Sequence, residues 1–201
     1  MSREDLLRSL RSRISDERVL AAVAAVPREL FVAPSLAQFA YADRPLPIGG
    51  GQTISQPTLV AHMCELLELS PGDVVLDVGS GSGYHAALLS RLCRHVHGIE
   101  LDPELAEQAA RSLALAGIEN ATIVTGDGAA GLPEHAPFDA INVAAAAAGE
   151  VPPALEQQLA EGGRLVVPVD RHGNEQLVFV RRGPEGLRRT PLNPVRFVPL
   201  R

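Results

Sequence analysis

The chain has no tryptophan, two tyrosines and five phenylalanines, so aromatics fill only 3% of its 201 positions. A row of stacking platforms for bases or sugars is therefore not expected. Positive charge is also scarce: 18 Lys and Arg stand against 24 Asp and Glu, a formal net charge of -6. That balance argues against nucleic acid or an anionic membrane as partner. No window is long and apolar enough to span a bilayer. The charged start Met1-Ser-Arg-Glu-Asp is not followed by a signal-peptide core. The apolar run Val19–Val26 lies between Asp16-Glu-Arg18 and Pro27-Arg-Glu29 and reads as a core-facing helix. The two cysteines, Cys64 and Cys93, sit apart in apolar helical contexts, which suggests reduced, buried thiols rather than a disulfide. These features together suggest a cytoplasmic protein.

What is present is a globular composition, 46% hydrophobic and 21% charged. The length suits one domain over 1–201, with a helical extension and loop at 1–57 and a core at 58–201. Residues 3–40 read as two or three amphipathic helices, with a start at Ser15-Asp-Glu and a stop at Pro27. Residues 42–57 are rich in Pro and Gly and read as a long loop, a length that usually carries function. Pro57 opens a helix to about Leu69. Strands are then expected at Val74–Val78, His95–Leu101, Ala121–Thr125, Asp139–Ala144 and Gly163–Val169. Helices alternate with them at Tyr84–Leu92, Pro103–Ala116 and Pro153–Ala160. Such alternation implies an α/β fold, a mostly parallel Rossmann-like sheet covered on both faces. Two final strand candidates, Gln176–Arg181 and Val195–Leu200, lack a helix between them and suggest a hairpin with an antiparallel edge.

The densest signal is Val74-Val-Leu-Asp-Val-Gly-Ser-Gly-Ser-Gly83, an apolar run, then an acid, then three glycines at alternate positions. A glycine turn between a buried strand and a helix lets backbone N–H groups approach a ligand. In α/β sheets that place is the carboxyl end of the strands. Gly81-Ser-Gly83-Tyr-His-Ala86 fits the dinucleotide fingerprint, so NAD stays open on the string alone. Asp77, two residues before Gly79, favours S-adenosylmethionine instead. That ligand carries an amino acid and a cationic sulfonium, which welcome a carboxylate and need no phosphate cradle. Glu100 ends the second strand about 20 residues past the turn, where an acid accepts ribose hydroxyls. Asp127 in Gly126-Asp-Gly128 ends the third strand and is placed to accept an adenine amino group; a plain turn aspartate is the competing reading. The candidate cofactor residues are thus Asp77, Gly79, Ser80, Gly81, Gly83, Glu100, Leu101, Asp127 and Gly128. His95 and His97 share one face of a strand, but no third ligand is announced, so no metal is expected. Asp139 and Asn142 read as structural. Gly79–Gly83 is no nucleophile elbow, because its centre is Gly81 and not serine.

At Pro45-Leu-Pro-Ile-Gly-Gly-Gly-Gln-Thr-Ile-Ser-Gln-Pro57 the chain resembles the protein-L-isoaspartate O-methyltransferases. Val26-Pro-Arg-Glu-Leu-Phe-Val32, the glycine turn, Gly126-Asp-Gly128, Gly162-Gly-Arg-Leu-Val-Val-Pro-Val169 and Val195-Arg-Phe-Val-Pro-Leu200 extend the resemblance over nearly the whole chain. It implies methyl transfer from S-adenosylmethionine, leaving S-adenosylhomocysteine, to the α-carboxyl of L-isoaspartyl residues in damaged peptides and proteins. It also implies that Ser55 is the active-site residue. Thr53 and Ile54 would line the cleft, and the Val-Pro-Leu tail would cover the peptide. A monomer is expected. Departures fall at Tyr84-His85, where bacterial relatives often carry Tyr-Gln, and in the alanine-rich stretch Ala144–Ala148 beside the substrate. A chain-terminal type of carboxyl, with a pKa of about 3.3–3.7, is already an anion at neutral pH. The nucleophile therefore needs no general base. The alternatives are an aspartyl O-methyltransferase that makes an aspartimide in a dedicated peptide, and a non-catalytic S-adenosylmethionine-binding module.

Overall fold

The computed structural model describes residues 1–200. Five parallel strands form the centre of the sheet: β3 (Val74–Val78), β4 (His95–Glu100), β5 (Ala121–Thr125), β6 (Phe138–Val143) and β8 (Leu159–Arg171). β9 (Asn174–Gly183) and β10 (Gly186–Pro194) continue it antiparallel beyond β8, with β10 at the edge, in the order β10-β9-β8-β6-β3-β4-β5. A two-residue strand, β7 (Ala147–Ala148), pairs with the end of β8.

Strand alternation explains how both faces are covered. Val75 joins one apolar cluster, whereas Leu76 and Val78 join the other. The first cluster packs against α3 (Pro57–Leu66), α4 (Tyr84–Ser90) and α5 (Pro103–Leu115). It also takes in Leu6 and Leu10 of α1 (Arg3–Leu10) and Val19 and Val23 of α2 (Glu17–Ala25), so the extension and the sheet share a core. The second cluster lies under α6 (Pro153–Gln157). Asp16 caps α2 by accepting the Arg18 N–H, and α2 ends at Ala25 ahead of Pro27, as expected.

Three expectations are corrected. The Pro- and Gly-rich stretch at 42–57 is no plain loop: it contains a hairpin of β1 (Leu46–Gly49) and β2 (Gln52–Ile54). Gly49, Gly50 and Gly51 all turn it at positive φ, which the glycine run permits and which breaks the alternation that would announce strands. The helix expected over Pro153–Ala160 stops at Gln157, because β8 already starts at Leu159. A bulge opposite Phe138 and Ala140 absorbs the extra residues around Gly162. The last strand is not Val195–Leu200 but the polar stretch Gly186–Pro194. An exposed edge strand needs no apolar alternation and tolerates Pro191 and Pro194. Residues 195–200 instead cross the carboxyl ends of the strands, where Ala146 N–H donates to the Val198 carbonyl (2.7 Å) and Leu200 N–H to the Ala146 carbonyl (2.8 Å).

Candidate active site

The glycine turn leaves β3 under the end of β4. Gly79, Gly81 and Gly83 have φ of 74°, 53° and 85°, all disfavoured for residues with a Cβ. Gly79 N–H donates to the Ile99 carbonyl at 2.9 Å. The Glu100 carboxylate accepts the N–H of Gly81 at 2.8 Å and of Asp102 at 3.0 Å, one on each oxygen. Its other lone pairs remain for a ligand. A cavity of about 70 Å³ opens here, lined by Gly79, Gly81, Glu100, Leu101 and Gly128 and roofed by Val198–Leu200.

A larger cavity, about 670 Å³, lies on the other side of Thr53 and Ala144, which line both. Ser55, Thr58 and His62 form one wall, and Asn193–Val198 another. Arg13 and Arg196 reach its lining, and among the described residues no carboxylate does. Asp43 ties the loop to α3 by accepting the Thr58 N–H (2.9 Å) and hydroxyl (2.7 Å).

Ser55 is held from beneath. Arg28 is fully buried in a short 3-10 turn. Its Nη2 donates to the Ser55 carbonyl and its Nε to the Ala40 carbonyl, both at 2.8 Å. The guanidinium lies 4.5 Å from the Tyr84 ring centroid, and burial lowers its pKa. Planarity lets one cation fix two carbonyls and stack on a ring at once.

Under the turn lies a buried polar row. Alternation turns Asp77 and its register partner Asn142 on β6 toward α4. Asn142 Nδ2 donates to Asp77 Oδ1 at 2.7 Å and lies 3.1 Å from His85 Nδ1. Asp77 Oδ2, Asn142 Oδ1 and His85 Nε2 have no partner among the described residues. Burial pushes the Asp77 carboxyl up to about 6, against the Asn142 hydrogen bond, and pushes His85 down to about 3.

The structure thus brings together Thr53, Ile54, Ser55, Gly79, Ser80, Gly81, Glu100, Leu101 and Gly128 around adjoining cavities. Three sequence-derived candidates line none of these cavities. Asp77 is buried beneath the turn, because its strand position faces α4 and not the cleft. Gly83 is the N-cap of α4, and a Cβ there would meet the Ala109 backbone at 3.3 Å, so it serves helix packing. Asp127 is exposed and its Oδ1 accepts the Ala129 N–H at 2.9 Å, a turn contact that leaves its other lone pairs free. Sequence reasoning missed Arg28 and the link from Asp77 to His85. Arg28 stood inside a noted segment, but nothing local marks an arginine as buried. The Asp77–Asn142 contact spans 65 positions and follows only from strand register. His95 and His97 do lie side by side, and His135 stacks on His97 at 4.1 Å between ring centroids. Asp139 accepts the Val74 N–H, a structural role as expected.

The family model for protein-L-isoaspartate(D-aspartate) O-methyltransferases matches residues 1–201. A protein-L-isoaspartate O-methyltransferase of Roseiflexus castenholzii is 52% identical over 196 residues, covering 98% of this chain and 88% of that protein. A solved protein-L-isoaspartate O-methyltransferase superposes with a TM-score of 0.88 at 32% identity over 98% of this chain, which spans 65% of that longer chain. A Plasmodium falciparum structure, provisionally named for the same activity and in complex with S-adenosyl-L-homocysteine, has a TM-score of 0.86 at 27% identity, covering 100% of this chain and 99% of that one.

Proposed function

The chain belongs to the protein-L-isoaspartate(D-aspartate) O-methyltransferase family, and from that premise we propose how its residues divide the work. It is an S-adenosylmethionine-dependent enzyme that methylates the α-carboxyl of L-isoaspartyl residues in damaged peptides and proteins, initiating repair through a succinimide. The observation that carries our assignment is the meeting of the two cavities at Thr53 and Ala144, with Ser55 on one side and Glu100 on the other.

The residues present fit the cofactor. Glu100 keeps acceptor positions for ribose hydroxyls after taking its two backbone N–H groups. The orphaned Asp77 Oδ2 is a buried negative charge beside the turn, suited to a cationic amino-acid end. When bound, S-adenosylmethionine supplies an electrophilic methyl group on a sulfonium and leaves as S-adenosylhomocysteine. Thr53, Ile54, Ser80 and Leu101 contribute walls, and Gly128 gives close approach.

Ser55 donates a hydrogen bond to the isoaspartyl carboxylate and aims one oxygen across the junction. Arg28 fixes Ser55 through its carbonyl. The carboxylate arrives ionised, so no residue need remove a proton. Alignment and the exclusion of water can then supply on the order of 7–11 kcal/mol of barrier reduction at best. The 670 Å³ cavity holds the peptide, with Arg13 and Arg196 favouring an anion. An aspartyl peptide carries its free carboxylate on a side branch, so its backbone would leave in another direction.

We further read the chain as one domain, a monomer and cytoplasmic. The core shared across positions 57 and 58 supports the first, the few exposed large apolar side chains the second, and two free buried thiols the third. Labelled methyl transfer to paired isoaspartyl and aspartyl peptides tests the substrate. Strong preference for the isoaspartyl isomer is expected; equal use would favour an aspartimide-forming enzyme.

A further inference from the structure

The row Asp77–Asn142–His85 ends at the junction of the cavities. A third cavity, about 40 Å³, lies there, and Ser55, Gly79, Gly81 and His85 all line it. It touches the substrate side through Ser55 and the cofactor side through the glycine turn. A space of that size holds a water or a small polar group.

The hydrogen bonds fix which proton His85 carries. Asn142 Nδ2 has two hydrogens; one goes to Asp77 Oδ1 and the other to His85 Nδ1. His85 Nδ1 is therefore an acceptor, and the ring proton sits on Nε2. Nε2 is buried and has no partner among the described residues. Burial pushes His85 down to about 3, so the ring is neutral at working pH. A buried N–H left without an acceptor is costly, which marks it as made for something that binds.

We propose that His85 is a binding residue for this reaction, presenting its Nε2–H to a carboxylate held at the cavity junction. The proposal rests on the methyltransferase reading above, which brings two carboxylates to that junction. One is the isoaspartyl carboxylate beside Ser55; the other belongs to the methionine part of the cofactor, beside Gly79 and Gly81. Asn142 acts as the positioning residue, because its Nδ2 sets the tautomer and it lines none of the three cavities. Asp77 orients it through Oδ1, while its Oδ2 keeps the role toward the cofactor given above. His85 is not a general base: its free nitrogen already carries a proton.

The test compares wild type with His85→Leu and His85→Gln. Calorimetry with S-adenosylhomocysteine reads the cofactor, and kcat/KM for an isoaspartyl peptide at saturating cofactor reads the substrate. We expect His85→Leu to lose about tenfold to a hundredfold in one of the two. Loss of S-adenosylhomocysteine affinity assigns the cofactor carboxylate, and loss confined to peptide KM assigns the isoaspartyl one. His85→Gln, whose amide both accepts and donates, is expected to recover most of the loss. Should the leucine variant fail to fold, ¹⁵N imidazole spectra of wild type decide. The His85 Nε2–H resonance must shift when S-adenosylhomocysteine or peptide is added. Unchanged binding and kinetics, or an unmoved resonance, would mean that the cavity holds only water and would overturn the proposal. A wild type that binds S-adenosylhomocysteine through His85 but does not methylate isoaspartyl peptide would instead defeat the substrate reading alone.

Discussion

Replacing Asp77 with asparagine should make the ligand-free protein more stable and a poorer binder. Asp77 is fully buried, and burial raises its carboxyl from an ordinary 3.8 to about 6. That shift corresponds to about 3 kcal/mol of destabilisation at neutral pH. The sign follows from proton counting. Between 3.8 and about 6 the native state binds more protons at this site than the unfolded chain, so stability falls as pH rises through that window. Asparagine has nothing to ionise. Its amide could accept from Asn142 Nδ2, as Asp77 does now, and donate to Asn142 Oδ1, which has no partner among the described residues. Urea denaturation of both proteins at several pH values isolates the effect. The variant should gain up to about 3 kcal/mol by pH 7–8, about half of that near pH 5, and almost nothing below pH 4. S-adenosylhomocysteine affinity should fall at least about tenfold in the variant, as expected for the loss of a charged partner. A variant less stable than wild type at pH 8, or a difference that ignores pH, would show that the Asp77 charge is not what burial destabilises.

Glu100→Ala removes the acceptor for two backbone N–H groups as well as the ribose partner, so calorimetry should show S-adenosylhomocysteine binding weakened by about 1–3 kcal/mol. Arg28→Lys can reach the Ser55 or the Ala40 carbonyl but not both. One buried carbonyl is left unpaired, for a cost of about 1–3 kcal/mol in urea denaturation. If its effect on Ser55 is as described, kcat/KM for isoaspartyl peptide should also fall while cofactor affinity is spared.

Much of the sheet was legible because buried parallel strands are short apolar runs followed by turn residues. β3 and the glycine turn announced themselves in that way. Glu100 was legible because its distance from the turn is set by one helix and one strand. The edge was not: β10 is polar, and the apolar segment that mimicked it, Val195–Leu200, lines the two cavities, its apolar side chains half-buried at most, rather than joining the sheet. Ser55 stood out only through resemblance, since a serine after a glycine-rich stretch has no periodicity of its own. Arg28 and the Asp77–Asn142–His85 row depend on contacts between distant segments, which local pattern cannot carry. Asp127 stood in a visible motif that also serves a turn: its Oδ1 accepts the Ala129 N–H, and its remaining lone pairs, like those of Glu100, stay available to a ligand.

Everything in the proposed reaction turns on the Ser55 hydroxyl orienting an isoaspartyl carboxylate at the junction of the two cavities. Steady-state methyl transfer to an isoaspartyl peptide by wild type and Ser55→Ala, with S-adenosylhomocysteine affinity measured alongside, tests it most directly. Misplacement by about 1 Å can cost on the order of a hundredfold in rate. kcat/KM is therefore expected to fall about tenfold to a hundredfold in Ser55→Ala, with cofactor affinity unchanged. Full activity in the variant, or a loss matched by an equal loss of cofactor binding, would contradict it.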